Sequence, residues 1–181
     1  MRFTKFLAVA VMAAATAATA GAQAPASYTK PVSIGVSGGA SIPTGDLSND
    51  ANTGWNLNGH IGLATPTLPI SFRGDVGYNN WGAKSFSGNY HMWNLTGNAV
   101  FDIPQPTGVS PYILGGIGAY KLGASSNGIS ANDDWRFGFN VGAGVKLPLS
   151  GFNTFLEAKY VQVNGDGGNA QFVPITFGVM F

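Results

Sequence analysis

The strongest constraint on this fold is how charge is sorted along stretches that alternate with period two. In the last ten residues Val173, Ile175, Phe177, Val179 and Phe181 share one phase, while Phe172, Pro174, Thr176, Gly178 and Met180 share the other. Successive side chains of a strand face opposite sides, so this segment carries one apolar face that runs to a terminal aromatic ring. A soluble domain has little use for so apolar a strand at its end. A barrel whose outer wall is wetted by lipid does.

The same reading applies along the whole chain. Beyond residue 31 the sequence divides into eight alternating segments, and the outward phases hold no Asp, Glu, Lys or Arg. Examples are Val32, Ile34 and Val36 in the first, Trp93, Leu95 and Phe101 in the fourth, and Leu156, Ala158 and Tyr160 in the seventh, with Thr154 ahead of them. In the fifth the outward set is Tyr112, Leu114, Gly116, Gly118, Tyr120 and Leu122. The opposite phases collect Arg73, Asp75, Asp102, Lys121, Arg136, Lys146, Glu157 and Lys159, together with His60 and several asparagines. A Lys or Arg at the lipid midplane costs about 2–4 kcal/mol, which fixes the register of each strand. The expected architecture is all-β: an eight-stranded antiparallel up-and-down transmembrane barrel with an interior polar network.

Composition agrees. Charged residues are 9% of the chain, against about 25% in ordinary soluble domains. There are 27 glycines in 181 residues and the mean hydropathy is +0.13, which suits strands with one apolar and one polar face. A formal net charge of +1 does not point to nucleic acid, and with no cysteine the fold has no disulfide.

Residues 1–22 have the layout of a cleaved signal peptide. Arg2 and Lys5 are followed by an apolar run from Phe6 to Ala15 and by small residues at Ala20-Gly21-Ala22. Residues 23–31 then form a short periplasmic lead-in and 32–181 the barrel domain. Connectors alternate in length. Thr65–Pro69, Pro104–Pro111 and Pro148–Phe152 are short and carry proline; Pro43–Gly54, Asn79–Asn89, Gly123–Asp134 and Asn164–Gln171 are longer and polar. Short turns at one rim and long loops at the other fit an outer-membrane barrel with its long loops outside the cell. Pro174 cannot donate to a ladder and is expected near the outer rim, at a bulge or where pairing frays.

Few residues suggest chemistry. His60 falls on an inward phase and His91 near the outer end of the fourth strand, with no serine beside it on the same face, so a satisfied polar role is expected for both. The inward charges read as ion pairs in a lumen too narrow to stay open. No catalytic, cofactor-binding or metal-binding residue is assigned. The Asn164–Asn169 loop lacks the stacked repeats of a calcium site, and no helix pattern follows Gly115-Gly116-Ile117-Gly118 as a nucleotide loop requires. The long loops carry Asp46, Asp50, Asp133, Asp134 and Asp166 against Lys84, an acidic rim that could attract divalent cations. Trp55 and Trp135 towards the loop rim, and Phe101 and Tyr112 towards the turn rim, are expected to form aromatic girdles.

The chain resembles the small OmpA- and OmpX-like outer-membrane β-barrel family. The resemblance lies in Ser41-Ile42-Pro43-Thr44-Gly45-Asp46, Pro111-Tyr112-Ile113-Leu114-Gly115-Gly116-Ile117-Gly118, Phe155-Leu156-Glu157-Ala158-Lys159-Tyr160 and the terminal Phe181. It implies residence in the bacterial outer membrane amid lipid and lipopolysaccharide. It also implies delivery by periplasmic chaperones and insertion by the barrel-assembly machinery, with Phe177, Val179 and Phe181 as the assembly signal. On this reading the protein is a non-enzymatic, monomeric barrel with a structural, envelope-integrity or surface-interaction role and no cofactor. A narrow channel or small-solute transporter is the alternative. A lipid-modifying barrel enzyme and a secreted lipocalin-like barrel rank below it.

Overall fold

The computed structural model describes residues 31–181 except 66–68, 86, 104, 106–107, 127–128, 133, 150–151 and 166–167. The proposed signal peptide and nearly all of the lead-in lie outside the described residues, as do Asp133 and Asp166 of the acidic rim. The elements are β1 (Val32–Thr44), α1 (Leu47–Asp50), β2 (Gly54–Ala64), β3 (Ile70–Gly82), β4 (Gly88–Asp102), β5 (Ser110–Ser126), β6 (Ile129–Asn132), β7 (Arg136–Leu149), β8 (Phe152–Val163) and β9 (Ala170–Met180).

Each long strand pairs antiparallel with its neighbours in sequence, and β1 pairs with β9 from Gly35↔Met180 to Thr44↔Gln171. That last ladder turns the sheet into a closed eight-stranded barrel. The seam extends to the final residue: Phe181 N–H donates to the Ile34 carbonyl at 2.8 Å, and Ile34 N–H donates back at 3.2 Å. With no open edge, the wall satisfies its backbone groups internally, which a chain surrounded by hydrocarbon requires. Among the described residues no helix is long and apolar enough to cross a membrane, so any crossing is made by strands.

The ninth strand is not in the wall. β5 runs on past the barrel and returns as β6, paired from Gly123↔Asn132 to Ser126↔Ile129, so the connector expected to be a loop is a projecting hairpin. The first loop also has structure. Gly45, at φ 56°, turns the chain out of β1 into α1, a conformation glycine adopts without steric penalty. The β8–β9 ladder is interrupted where it reaches Pro174, with paired stretches ending at Ala158↔Ile175 and resuming at Val161↔Phe172.

The outward face follows the expected register in seven of the eight wall strands, as at Ile34, Leu57, Phe72, Leu95, Val141, Leu156 and Phe177, all exposed. Thr154 keeps the outward register opposite Leu147 but is buried, its hydroxyl donating to the Leu147 carbonyl at 3.0 Å. The fifth segment is a correction. Ile113 and Ile117 point outward at 52% and 59% exposure, whereas Tyr112, Leu114 and Tyr120 are buried in the lumen at 1–3%. Both phases of β5 are apolar or small, so hydrophobicity does not distinguish them. The reversal moves two assigned residues. Tyr112 leaves the expected girdle for the lumen, and Lys121, expected inside, pairs with outward Trp93 and so faces out.

Candidate functional site

The lumen is filled in three layers. The central layer is polar and built on Arg73 of β3 and Glu157 of β8, two strands separated in the sheet by β2, β1 and β9. They meet across the lumen. Arg73 Nη1 donates to Glu157 Oε2 and Nη2 to Oε1, both at 2.8 Å, the parallel fork that guanidinium geometry favours. Arg73 Nε also donates to Asp75 Oδ1 at 2.8 Å. Lys159 Nζ lies 3.4 Å from Asp75 Oδ2 and 3.6 Å from Glu157 Oε1, and Asn98 Nδ2 donates to Asp75 Oδ2 at 3.0 Å. Tyr112 O–H donates to Glu157 Oε2 at 2.7 Å. Two cations and two anions thus balance in a site closed to solvent, the condition under which buried ions are tolerated.

Two residues extend this cluster sideways. His60 Nδ1 lies 2.7 Å from Asp75 Oδ1, and Ser37 Oγ lies 2.8 Å from His60 Nε2. With the Nδ1 proton on the carboxylate side, Nε2 is left to accept the serine hydroxyl. The order Ser–His–Asp matches that of an acyl-transfer relay. Its surroundings differ from one. All three residues are buried, and the Asp75 carboxylate is already held by Arg73, Lys159 and Asn98. Ser37 Oγ also faces Asn58 Nδ2 at 3.5 Å.

Apolar layers cover this centre on both sides. Towards the loops, Trp81, Met92, Tyr120, Val161, Val163 and Phe172 pack with Leu47 of α1 and with Ala51, the residue after it. Trp81 sets its edge on Phe172 at 5.1 Å and donates Nε1–H to the Ser41 carbonyl at 3.2 Å. Towards the short turns, Val100, Tyr112, Leu114, Phe155 and Met180 form the second layer. Below it, Lys146 Nζ contacts Asp102 Oδ1 at 2.5 Å and lies 5.2 Å from the centre of the Tyr112 ring. Between the centre and the upper layer is a cavity of about 20 Å³ lined by residues including Asn58, Asn94, Asn140 and Lys159, room for one water. Among the described residues neither side-chain polar atom of the buried Asn140 has a hydrogen-bond partner, which fits a water at that point.

Of the eight residues assigned to the interior, Arg73, Asp75, Glu157 and Lys159 form one cluster, and Asp102 with Lys146 forms a separate pair. Arg136 occupies the lumen register at the loop end of β7, opposite Tyr120. Lys121 alone is outside. Trp55 and Trp135 are exposed near the loop rim, and Phe101 is exposed near the turn rim. Sequence reasoning missed Ser37 and Tyr112 as members of the network and Trp81 as part of a lumen seal. Ser37 carried a usable signal, since it alternates with outward Val36 and Gly38. The loop rim is tied down as well: Lys84 N–H donates to the Asp50 carbonyl at 2.8 Å, Lys84 Nζ to the Ser48 carbonyl at 2.6 Å, and Ala51 bridges Ala83. Among the described residues no group of three or more acidic or imidazole side chains could hold a metal ion.

A model of the family described as outer membrane protein beta-barrel domain matches residues 6–181. No curated protein matches the sequence. Among solved structures, Neisserial surface protein A superposes with a TM-score of 0.70 at 14% identity, covering 83% of this chain and 96% of its own. Ail, the attachment invasion locus protein of Yersinia pestis, gives 0.50 at 23%, covering 83% and 97%. The outer membrane enzyme PagL gives 0.51 at 16%, covering 82% and 98%. At these identities the likeness is one of fold.

Proposed function

Since the chain belongs to the outer membrane protein beta-barrel domain family and resides in the bacterial outer membrane, we propose that it is a closed, non-enzymatic barrel that reinforces the envelope and presents an ordered loop rim at the cell surface. The observation that carries this reading is the double seal of the lumen. An ion crossing the barrel would have to displace Trp81 and Phe172, break a neutral four-charge cluster and then part Phe155 from Met180. Each of those steps desolvates an ion or strands a buried charge. The test is planar-bilayer recording with folded protein. A flat current trace is expected, and discrete conductance steps would reinstate the channel alternative.

The Ser37–His60–Asp75 order favours a second reading, a lipid-modifying hydrolase. It is the weaker one, because Ser37 is buried and the cavity does not reach it. A nucleophile needs a site about 3 Å away in which the reacting carbonyl can sit. A fluorophosphonate probe is expected to leave Ser37 unlabelled, and lipid A of unchanged mass after overexpression is expected alongside. Labelling of Ser37 that Asp75→Asn abolishes would overturn the non-enzymatic assignment.

Biogenesis by periplasmic chaperones and the barrel-assembly machinery, ending in a monomer, belongs to the same reading. It is supported by the outward, exposed positions of Phe177 and Phe181 on the seam strand, with Val179 in register between them.

A further inference from the structure

The hydrogen-bonded wall has a break. Among the described residues every other ladder of the barrel is continuous, but between β8 and β9 Lys159 and Tyr160 are not paired with Pro174 and Val173 opposite. The cause is chemical. Phe181 and Ile34 exchange both of their backbone bonds, so alternation along β9 aims the N–H of each even-numbered residue at β8. At position 174 that donor does not exist, because proline has no N–H, and the Lys159 carbonyl opposite loses its strand partner.

Polar groups lie on both sides of this break. On the lumen side Lys159, Val161, Phe172 and Pro174, the inward residues that flank it, all line the cavity above the ionic centre. Asn140 lines the same cavity at 3% exposure, with neither polar atom of its side chain bonded among the described residues. On the lipid side the outward residues of β8 run Leu156, Ala158, Tyr160, Gln162, and those of β9 run Phe177, Ile175, Val173, Gln171. The apolar face thus gives way to amides one step beyond the break, where Gln162 and Gln171 pair in register. Gln162 Oε1 accepts from Tyr160 O–H at 3.3 Å and from Gln171 Nε2 at 3.4 Å. A short polar track therefore descends the outer face to the break, and the break opens towards Asn140.

We propose that Asn140 holds a water molecule that enters and leaves between β8 and β9 at Pro174, a side port in a barrel whose two ends stay sealed. The occupant follows from the groups it must satisfy. Asn140 offers a donor and an acceptor together and the Lys159 carbonyl a further acceptor, so the molecule must both donate and accept. Water does. A halide only accepts, a metal cation bonds to lone pairs alone, and either would unbalance the neutral Arg73–Asp75–Glu157–Lys159 cluster beside it. Water in the port also gives the Lys159 carbonyl the hydrogen bond that hydrocarbon cannot supply. The port takes the sealed lumen as its premise and adds to it a bound ligand and that ligand's route.

The test is NMR hydrogen exchange in D2O on folded protein in lipid nanodiscs, with the Lys159 backbone amide and the Asn140 side-chain amide as reporters. In the wild type the Lys159 amide is expected to exchange about tenfold faster than those of Glu157 and Val161 on the same ladder, the scale of one backbone hydrogen bond. The Asn140 amide protons are expected to show cross-relaxation to water. Pro174→Ala and Pro174→Val restore the missing donor and should slow exchange at both reporters about tenfold. Asn140 exchange that neither variant changes, but that Trp81→Ala speeds, routes the water through the loop seal and overturns the port. A fast Lys159 amide beside an Asn140 side chain that sees no water overturns it too, since the break then stops at the wall. Both wild-type readouts stand even where a Pro174 variant fails to fold. Conductance in planar bilayers would sink the sealed lumen itself, whereas a silent barrel whose Asn140 exchange ignores Pro174 sinks only the port.

Discussion

The centre of the lumen and its loop end are both closed off by buried side chains, yet they are closed in different ways. The centre is sealed by strand-borne charges that reach across the barrel, Arg73 to Glu157 at 2.8 Å, each with further partners. The loop end is sealed by apolar surface, and part of that surface comes from a connector, Leu47 from its four-residue helix and Ala51 from the extended residue that follows it. An ionic seal fails sharply when one member is lost, because the remaining charge is stranded. An apolar seal fails in proportion to the area removed.

The largest expected effect is therefore at the centre. Glu157→Leu should cost about 4 kcal/mol by leaving Arg73 without its forked partner, read as a lower urea midpoint in lipid vesicles. Combining it with Arg73→Met restores neutrality between Asp75 and Lys159. The double variant should then fall short of additivity by about 1–3 kcal/mol, and strict additivity would show that the network is not coupled. Trp81→Ala at the loop end should cost about 3 kcal/mol through cavity formation, with bilayer current still flat because the central layer persists. Current through that variant alone would show that the aromatic layer, not the ionic one, blocks the lumen. Leu47→Ala should cost about 1–2 kcal/mol, at or below the low end for apolar truncation. Its signature is faster deuterium exchange confined to the α1 segment, and exchange that quickens along β1 and β9 would mean the helix supports the wall.

The contrast also explains what could be read from the sequence. Wherever a strand carried an ionised group or several amides on one phase, as in β3 with Arg73 and Asp75 or β8 with Glu157 and Lys159, the register followed from the cost of charge in hydrocarbon. β5 lacked that contrast. Its lumen side meets both apolar layers, so Tyr112, Leu114 and Tyr120 are as apolar as Ile113 and Ile117 facing lipid. Its one charge, Lys121, lies towards the loop end of the strand, opposite Trp93, and towards the interface the penalty for a charge falls to about 0–1 kcal/mol, so the rule loses its force. Members of the central cluster were legible as inward-facing, but their pairing was not. Arg73 and Glu157 meet only through closure of the barrel, which sequence spacing does not encode. α1 and β6 escaped notice because four-residue elements carry too little periodicity to register.

The fork between Arg73 and Glu157 has a consequence for how the protein is made. The residues are 84 positions apart on opposite walls, so the contact cannot form while the sheet is open. Until the seam between first and last strands zips, these four ionised groups have no enclosed, mutually neutral environment, and a half-inserted sheet would turn them towards lipid. The free-energy gain arrives all at once, at the final pairing, after the chain entropy of bringing distant strands together has been spent. Incomplete rings are thereby disfavoured, and biogenesis gains a built-in check that only a finished cylinder satisfies.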